Sequence, residues 1–248
     1  GFLQQIISTK SNFQIKKPAA KNKNFMDTSV KKLNWHYETL PPDTKKALDF
    51  LSGADWLKKS KWYLAGGTAL ALQSGNRKSY DLDFFTQEKD FDTKKLIAHF
   101  IGNKNWITEI EEKNTIYAEL FGSKVSFIAY PFFIPKQKLL GHGSIGILDK
   151  IDIAVMKITE ISQRGRKRDF FDLYWCANNI EPLIKIIKRT KVQYPLVAHN
   201  YHHLLKALVY FEDAESDPNP EIFFSASWEK VKNFFRKEIP AIAEQIIK

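Results

Sequence analysis

Residues 62–85 read WYLAGGTALALQSGNRKSYDLDFF, and this stretch decides the fold. An apolar run ends on Gly66-Gly67, which predicts a short strand and a sharp turn, because glycine has no Cβ to obstruct a close backbone approach. The residues after the turn indicate a short helix, and the hydroxyl of Thr68 is expected to cap its start. Exposed N–H groups at the start of a helix attract phosphate. The turn is therefore a predicted phosphate site.

The end of the same stretch carries two carboxylates on a second predicted strand. In YDLDFF, residues 80–85, side chains at i and i+2 point the same way, so Asp81 and Asp83 share one face. Neighbouring carboxylates repel each other, and a divalent cation relieves that repulsion. Mg²⁺ is typically held by one or two carboxylates together with substrate phosphates. The residues alone thus predict a metal and phosphate site, although a glycine turn or an Asp-x-Asp strand taken singly is usually only structural.

Two segments of this stretch, GGTALAL at 66–72 and RKSYDLDFF at 77–85, resemble a known family. The broad similarity is to the nucleotidyltransferases of the DNA polymerase β superfamily, and the narrower one is to the AbiEii/AbiGii-type toxins. The resemblance implies a nucleoside triphosphate (NTP) as substrate and Mg²⁺ or Mn²⁺ held by Asp81 and Asp83. It also implies a growth-inhibiting toxin of a bacterial toxin–antitoxin or phage-defence pair, whose antitoxin is a separate protein. The residues expected to bind the nucleotide here are Gly66, Gly67, Thr68, Arg77 and Ser79.

A second match to the same family is RGRKRDFFDLY, residues 164–174, which follows a lysine on a predicted helix. The resemblance implies that Lys157 reaches the nucleotide phosphates and that Asp169 completes the catalytic site. It further implies that Arg168 binds phosphate or holds Asp169 in place. The residues alone leave other interpretations open. Lys157 also suits a lysine whose stem packs on apolar side chains while its head is exposed, and Asp169 also suits a helix cap.

Several other positions have two interpretations. Arg77 contacts the triphosphate or pairs with an aspartate, and Asp172 joins the site or serves as such a partner. Many superfamily members carry a third metal-binding carboxylate on a later strand, and residues 125–128 offer none here. Glu109 and Glu119 are the nearest acids on the predicted sheet. A catalytically impaired protein that binds a nucleotide, RNA or a partner is therefore the alternative to an enzyme.

The rest of the chain predicts an α+β protein, in which a nucleotidyltransferase-like mixed β-sheet core with helices is followed by a C-terminal helical bundle. Segments of alternating polarity predict strands at 106–111, 115–121 and 124–130, and helical periodicity dominates from residue 149 onward. We expect three parts, which are a basic N-terminal arm at 1–35, a nucleotidyltransferase core at 36–140, and a helical domain at 141–248 that contributes to the active site.

The amino-acid composition indicates which partners and which compartment suit the chain. Lys and Arg number 38 against 28 Asp and Glu, which gives a formal net charge of +10. A basic balance favours polyanions, so RNA, particularly tRNA, is a reasonable acceptor, and an aminoglycoside-type nucleotidyltransferase is less favoured. The single cysteine, Cys176, excludes a disulfide framework and fits a reducing cytoplasm. The sequence contains no apolar run of about eighteen residues, so it predicts no membrane span. The P-loop motif is also missing.

Overall fold

The computed structural model describes residues 34–195 and 200–247, so the predicted arm at 1–35 lies outside it except for its last two positions. Within these ranges the strands form a mixed sheet with helices packed around it. The strands are β1 (Tyr63–Ala65), β2 (Leu82–Thr86), β3 (Trp106–Glu112), β4 (Thr115–Leu120), β5 (Ser123–Ala129), β6 (Leu140–His142) and β7 (Ile145–Ile147). Their order across the sheet is β3-β4-β5-β2-β1-β7-β6. β2 pairs antiparallel with β1 and parallel with β5, so it lies in the middle of the sheet.

Most of the helices of the described ranges lie in the C-terminal part of the chain, where helical periodicity was predicted from residue 149 onward. The helices of these ranges are α1 (Pro42–Ser52), α2 (Asp55–Lys58), α3 (Gly66–Ser74), α4 (Thr93–Ala98), α5 (Lys150–Arg164), α6 (Lys167–Asn179), α7 (Leu183–Gln193), α8 (Tyr201–Ala207), α9 (Glu212–Glu215) and α10 (Trp228–Ile246). α1 begins at a proline. Proline suits the first helical position, because an N–H at that position would have no acceptor within the helix. No helix in these ranges is long and apolar enough to cross a membrane.

The two faces of β2 differ in burial. Leu82 and Phe84 are buried, while Asp83 and Phe85 alternate with them on the opposite face. The rings of Phe84 and Phe127 stack with their centroids 5.0 Å apart. Because side chains alternate along a strand, burial of the apolar set fixes the direction of Asp83. The same pattern that forms the strand therefore positions the carboxylate.

Strand register places four side chains in one row across the sheet. Asp83 on β2 is opposite Ser126 on β5, which is opposite Tyr117 on β4. Tyr117 is in turn opposite Ile110 on β3, just past a β-bulge that follows Thr108. Directly opposed residues on neighbouring strands point to the same face. The row therefore runs outward from Asp83 towards the β3 edge of the sheet.

α5 and α6 join the C-terminal half to the sheet. The carboxylate of Asp149 accepts a hydrogen bond from the N–H of Ile151 at the start of α5. Gly165 ends α5 in the left-handed region at φ +51°. The predicted boundary near residue 140 falls within the sheet, because β6 and β7 extend it and β7 pairs with β1. Buried apolar residues on both sides of that position form one core, and the predicted fold class is confirmed.

Candidate active site

The glycine turn connects β1 to α3 without an intervening loop. Gly66 has φ +70°, and a Cβ there would lie 3.1 Å from Oδ2 of Asp83. A Cβ on Gly67 would overlap Nη2 of Arg77. The residue before α3, Ala65, provides no side-chain cap, so the first N–H groups of the helix have no side-chain acceptor at that position. Both glycines are needed for close packing, and the turn leaves backbone donors for an anion.

Thr68 does not cap α3, which corrects the prediction for its hydroxyl. Its side chain is buried, and its Oγ1 donates to the carbonyl of Asp81 and lies 2.9 Å from Oγ of Ser79. The helix begins at Gly66, three residues earlier than a cap at Thr68 would require. The contacts of Thr68 with Ser79 and with the carbonyl of Asp81 therefore hold the segment that leads into β2, and they fix the position of Asp81.

Asp81 and Asp83 lie side by side with few neutralising partners. Oδ1 of Asp83 accepts a hydrogen bond of 2.7 Å from Oγ of Ser126, and Oδ2 of Asp81 lies 3.6 Å from Nη1 of Arg168. Burial raises the pKa of Asp83, and repulsion from Asp81 raises it further, against the opposing effect of the Ser126 bond. Carboxylate oxygens that repel each other beside a polar cavity suit Mg²⁺, whose remaining ligands would come from phosphate and water.

A third carboxylate does not stand beside this pair on the sheet. Ser126 occupies the position on β5 opposite Asp83. Glu109 sits at the β-bulge in β3, and Glu119 faces Lys124 in register. Within residues 34–195 and 200–247, no cluster of three or more His, Cys, Asp or Glu side chains is arranged to hold a metal ion. The described residues thus offer a two-carboxylate site that a bound nucleotide would have to complete.

Lys157 lies at the centre of a buried ion-pair network, so it is not the exposed lysine of the alternative interpretation. Its Nζ lies 2.7 Å from Asp169, 2.8 Å from Glu160 and 3.4 Å from Asp172. Burial alone would lower the pKa of Lys157, but the three carboxylates outweigh burial and hold its pKa above the ordinary value. The ammonium is therefore charged, and Lys157 lines the same cavity as Asp81 and Asp83.

Asp169 is not a helix cap. It lies in the first turn of α6, while Arg166 occupies the cap position without a side-chain hydrogen bond. Burial alone would raise the pKa of Asp169, but its ion pair with Lys157 outweighs burial and holds the pKa below the ordinary value. Its Oδ2 is buried without a hydrogen-bond partner among the described residues, and Nε of Arg164 lies 3.8 Å away. The buried carboxylate of Asp169 therefore orients the ammonium of Lys157.

Arg77 and Asp172, which each had two interpretations from the sequence, form an ion pair with each other. Arg77 donates to both oxygens of Asp172 at 2.8 Å, and Nδ2 of Asn76 donates to the same carboxylate at 2.9 Å. Both members of the pair are buried, with Arg77 5% exposed and Asp172 fully buried. Arg168, in contrast, is about half exposed, and its ion-pair partner among the described residues is Asp81 rather than Asp169.

Two adjoining cavities open beside the aspartates. Every predicted site residue except Asp169 lines the smaller, polar one, which we call the glycine-turn cavity, together with Glu160 and Arg164. The larger one, the sheet-face cavity, has a volume of about 430 Å³ and extends from the same aspartates over β5, β4 and β3. Glu160 lines both cavities and was not predicted. Its position three residues after Lys157, on the same face of a helix, is the signal that would have identified it.

Replacing Asp83 by Asn should stabilise the metal-free protein at neutral pH. Since folding raises the pKa of Asp83, the folded state binds that proton more tightly than the unfolded chain does, and stability falls as the pH rises through the raised pKa. We expect the melting temperature of Asp83→Asn to exceed that of the wild type by about 2–4 °C at pH 7 in EDTA. The difference should shrink as the pH is lowered towards about 4. A lower melting temperature for this variant than for an exposed control, Asp49→Asn, would contradict the argument.

Comparison with known proteins adds family evidence to this geometry. The sequence model of the nucleotidyl transferase AbiEii toxin, of type IV toxin–antitoxin systems, matches residues 49–132. The protein aq_aa25 of Aquifex aeolicus (strain VF5) is 35% identical over 198 residues, which cover 74% of this chain and 88% of that protein.

Two solved structures share the fold at low identity. MenT4, a nucleotidyltransferase toxin from Mycobacterium tuberculosis H37Rv, is 15% identical with a TM-score of 0.52, and the match covers 82% of this chain and 84% of MenT4. JHP933 from Helicobacter pylori is 18% identical with a TM-score of 0.50, and the match covers 84% of this chain and 94% of JHP933. The resemblance first carried by the glycine turn and the Asp-x-Asp strand is confirmed. The chain is a nucleotidyltransferase that belongs to the AbiEii toxin family.

Proposed function

We propose that this nucleotidyltransferase moves a nucleoside monophosphate from an NTP to an acceptor hydroxyl in a reaction that requires Mg²⁺ or Mn²⁺. The acceptor oxygen bonds to the α-phosphorus, the bond to the bridging oxygen of pyrophosphate breaks, and the acceptor proton passes to water. The observation that carries the proposal is the glycine-turn cavity, in which backbone donors, two carboxylates and a buried lysine face one another. Positioning and charge stabilisation account for most of the catalysis in phosphoryl chemistry.

Each residue has a role that follows from its contacts. Asp81 and Asp83 would hold the ion, which supplies charge stabilisation at the phosphate oxygens. The N–H groups of the Gly66-Gly67 turn would bind the β- and γ-phosphates. Arg77 shapes the floor of the turn through its packing against Gly67, and its guanidinium charge stays paired with Asp172.

Lys157 is proposed to neutralise charge on the nucleotide by exchanging one partner. Asp169 and Asp172 are fully buried behind it, whereas Glu160 is about one-fifth exposed and lines the cavity. A phosphate oxygen entering the cavity would displace Glu160 and leave the other two carboxylates in place. Asp169 is therefore a positioning residue, and Arg168 at the cavity rim is placed to contact phosphate.

The biological role that fits is the toxin of a bacterial toxin–antitoxin or phage-defence pair, acting in the cytoplasm and neutralised by a separate antitoxin protein. Family membership supports the toxin role, and a lone buried cysteine is compatible with a reducing compartment. The basic net charge supports RNA, particularly tRNA, as acceptor. A hydroxyl on a protein is the other acceptor that the chemistry accommodates.

A second candidate, a binding module without chemistry, is favoured by one observation, the serine that faces Asp83 where a third carboxylate would stand. Titration calorimetry with each of the four NTPs, in Mg²⁺ and in EDTA, separates the two candidates. An enzyme of the proposed kind should bind at least one NTP about 10-fold or more tightly in Mg²⁺, since Asp81 and Asp83 would hold an ion that offsets the charge of the phosphates. Exposed Asp49→Asn should behave as the wild type. Equal affinity in Mg²⁺ and EDTA would favour the binding module.

A further inference from the structure

The chain between α9 and α10 contacts both halves of the candidate active site. Residues 217–223, which we call the connector, contact the start of α6 at one end and the segment before β2 at the other. The first turn of α6 carries Arg168 and Asp169, and the segment before β2 carries Arg77. The connector therefore joins two elements that the buried ion pair of Arg77 with Asp172 also joins.

Asp217 supplies the N-terminal cap that α6 lacks in its own sequence. Arg166 occupies the cap position without a side-chain hydrogen bond to the helix. Instead, Oδ2 of Asp217 accepts a hydrogen bond of 3.0 Å from the N–H of Lys167, and Oδ1 accepts one of 2.8 Å from Nη1 of Arg166. A carboxylate at a helix start satisfies a free N–H group and offsets the positive end of the helix dipole. The side chain of Asp217 is only 15% exposed, so these bonds are largely shielded from water.

Lys167 strengthens the same contact from the side of α6. This lysine is buried, and its Nζ donates to the carbonyl of Asp217 at 2.6 Å and to the carbonyl of Glu215 at 3.2 Å. Its Nζ also lies 5.5 Å from the centre of the Trp228 ring. Cations are stabilised near the carbonyl end of a helix, and α9 ends at Glu215. The start of α6 and the start of the connector thus satisfy each other's polar groups.

The other end of the connector pairs with the backbone of Arg77. Ile222 and Arg77 form an antiparallel β-bridge. Two backbone hydrogen bonds flank this bridge, one from the N–H of Lys78 to the carbonyl of Glu221 at 2.9 Å and one from the N–H of Phe223 to the carbonyl of Asn76 at 2.8 Å. The connector therefore holds the backbone of the residue whose side chain is already paired with α6.

The part of the connector between its two contacts is short and contains two prolines. Residues 217–221 read DPNPE, with prolines at Pro218 and Pro220. Proline fixes φ at about −65°, so a segment of this kind has few accessible conformations. Just beyond the connector, the ring of Phe224 stacks on that of Tyr174 in α6, with centroids 6.2 Å apart. A displacement of α6 is therefore transmitted to the segment before β2.

We propose that Asp217 is a positioning residue for nucleotidyl transfer and that the connector sets the distance between α6 and the segment before β2. This proposal rests on the proposed function, because the two elements carry Asp169, which orients Lys157, and Arg77, which packs against the glycine turn. Asp217 touches neither reactant in this assignment. Because Asp217 acts through α6, its loss should slow the chemical step more than it weakens nucleotide binding.

The first test is the kinetics of transfer from α-labelled NTPs to total RNA by Asp217 variants of the 248-residue protein. For Asp217→Ala, kcat should fall roughly 10- to 100-fold, the effect of small displacements of catalytic groups, while the KM for the NTP stays within about 3-fold. Asp217→Asn should keep kcat within about 3-fold of the wild type, because asparagine caps a helix as well as aspartate does. Asp213→Ala is the matched control, because Asp213 is an exposed aspartate on the adjacent α9.

Amide hydrogen exchange tests the connector without any transfer reaction. In Asp217→Ala, exchange should become about 5-fold faster or more both at the start of α6 and in residues 76–79, because the N–H of Lys78 is bonded to the connector. In Asp213→Ala, both regions should exchange as in the wild type. A wild type without transfer activity would refute the proposed function, and the exchange rates would still decide whether the connector couples the two elements.

A second variant loosens the opposite contact and covers the case in which Asp217→Ala does not fold. Phe223→Pro removes the N–H that donates to Asn76, and the bridge-forming, extended backbone of Ile222 is compatible with a following proline. Phe223→Ala keeps this N–H and is the control. Exchange at the start of α6 should become faster in Phe223→Pro but not in Phe223→Ala, and kcat should fall in the proline variant alone.

Three outcomes would overturn the proposal. A kcat of Asp217→Ala equal to that of the wild type would show that Asp217 does not position the site. Faster exchange confined to the start of α6 would make Asp217 a local helix cap without any coupling through the connector. Equal losses of kcat in Asp217→Asn and Asp217→Ala would assign the effect to the ion pair with Arg166 instead of the cap.

Discussion

Replacement of Asp81 and Asp83 together by asparagine is expected to lower nucleotide transfer by about 10³-fold or more while the protein stays folded. The reason is that metal-held charge stabilisation is worth several kcal/mol in reactions of this kind. Both side chains face a cavity, so asparagine fits without repacking the core, and the amide oxygen introduced by Asp83→Asn would still accept the bond from Ser126. The measurement is incorporation of label from each α-labelled NTP into RNA and protein.

A matched control for this variant exists on the same sheet. Glu111 and Glu112 are two exposed carboxylates on β3, outside both site cavities. Their double replacement by glutamine changes the net charge by the same amount and should leave transfer within about 2-fold of the wild type, since distant exposed charges are screened by salt. Transfer by Asp81→Asn/Asp83→Asn at the wild-type rate would overturn the assignment of the metal-binding pair.

The second large effect is expected on stability, from Asp172→Asn. This change leaves the guanidinium of Arg77 buried without its bidentate partner, and Lys157 loses a carboxylate 3.4 Å away. Breaking a buried ion pair by removing one partner costs about 3–5 kcal/mol. The free energy of unfolding should fall by that amount, and the melting temperature should fall by about 10 °C. Urea unfolding followed by circular dichroism measures the first quantity, and calorimetry measures the second.

Two further variants test the cause of this loss. Asp49→Asn breaks an exposed i,i+4 ion pair with Lys45 and should cost at most about 1 kcal/mol. Arg77→Met combined with Asp172→Leu removes both buried charges and should recover part of the loss, because apolar residues of similar size often replace a buried ion pair without penalty. A stability of Asp172→Asn equal to that of the wild type would show that the network contributes nothing.

The residues that the sequence predicted well are those whose placement is local. The glycine turn and the Asp-x-Asp strand lie within 24 residues, and a strand, a turn and a helix suffice to bring Gly66 next to Asp83. The period-two pattern of β2 fixed the face on which the carboxylates lie. Lys157 was found through the family motif, since its own pattern on α5 was equally consistent with an exposed head.

The residues that were missed or misassigned depend on long-range packing. The bond between Arg77 and Asp172 joins positions 95 residues apart, and either member alone has several plausible partners. The cap predicted for Thr68 was wrong because α3 starts directly at the glycine turn, and the alternative cap role of Asp169 does not hold because this residue lies inside the first turn of α6. The bulge at Glu109 is a difference in register between two strands, which neither strand's sequence shows on its own.

The pairing of Arg77 with Asp172 also bears on when a newly made chain becomes active. The glycine turn and both aspartates leave the ribosome long before Lys157 and Asp172, which form one ion-pair network with Arg77. A nascent chain that has folded only its first strands holds Arg77 without a counter-charge and lacks the cavity lysine. Under the proposed mechanism, activity requires α5 and α6 to be synthesised and packed, so chains that end before these helices are expected to be inactive.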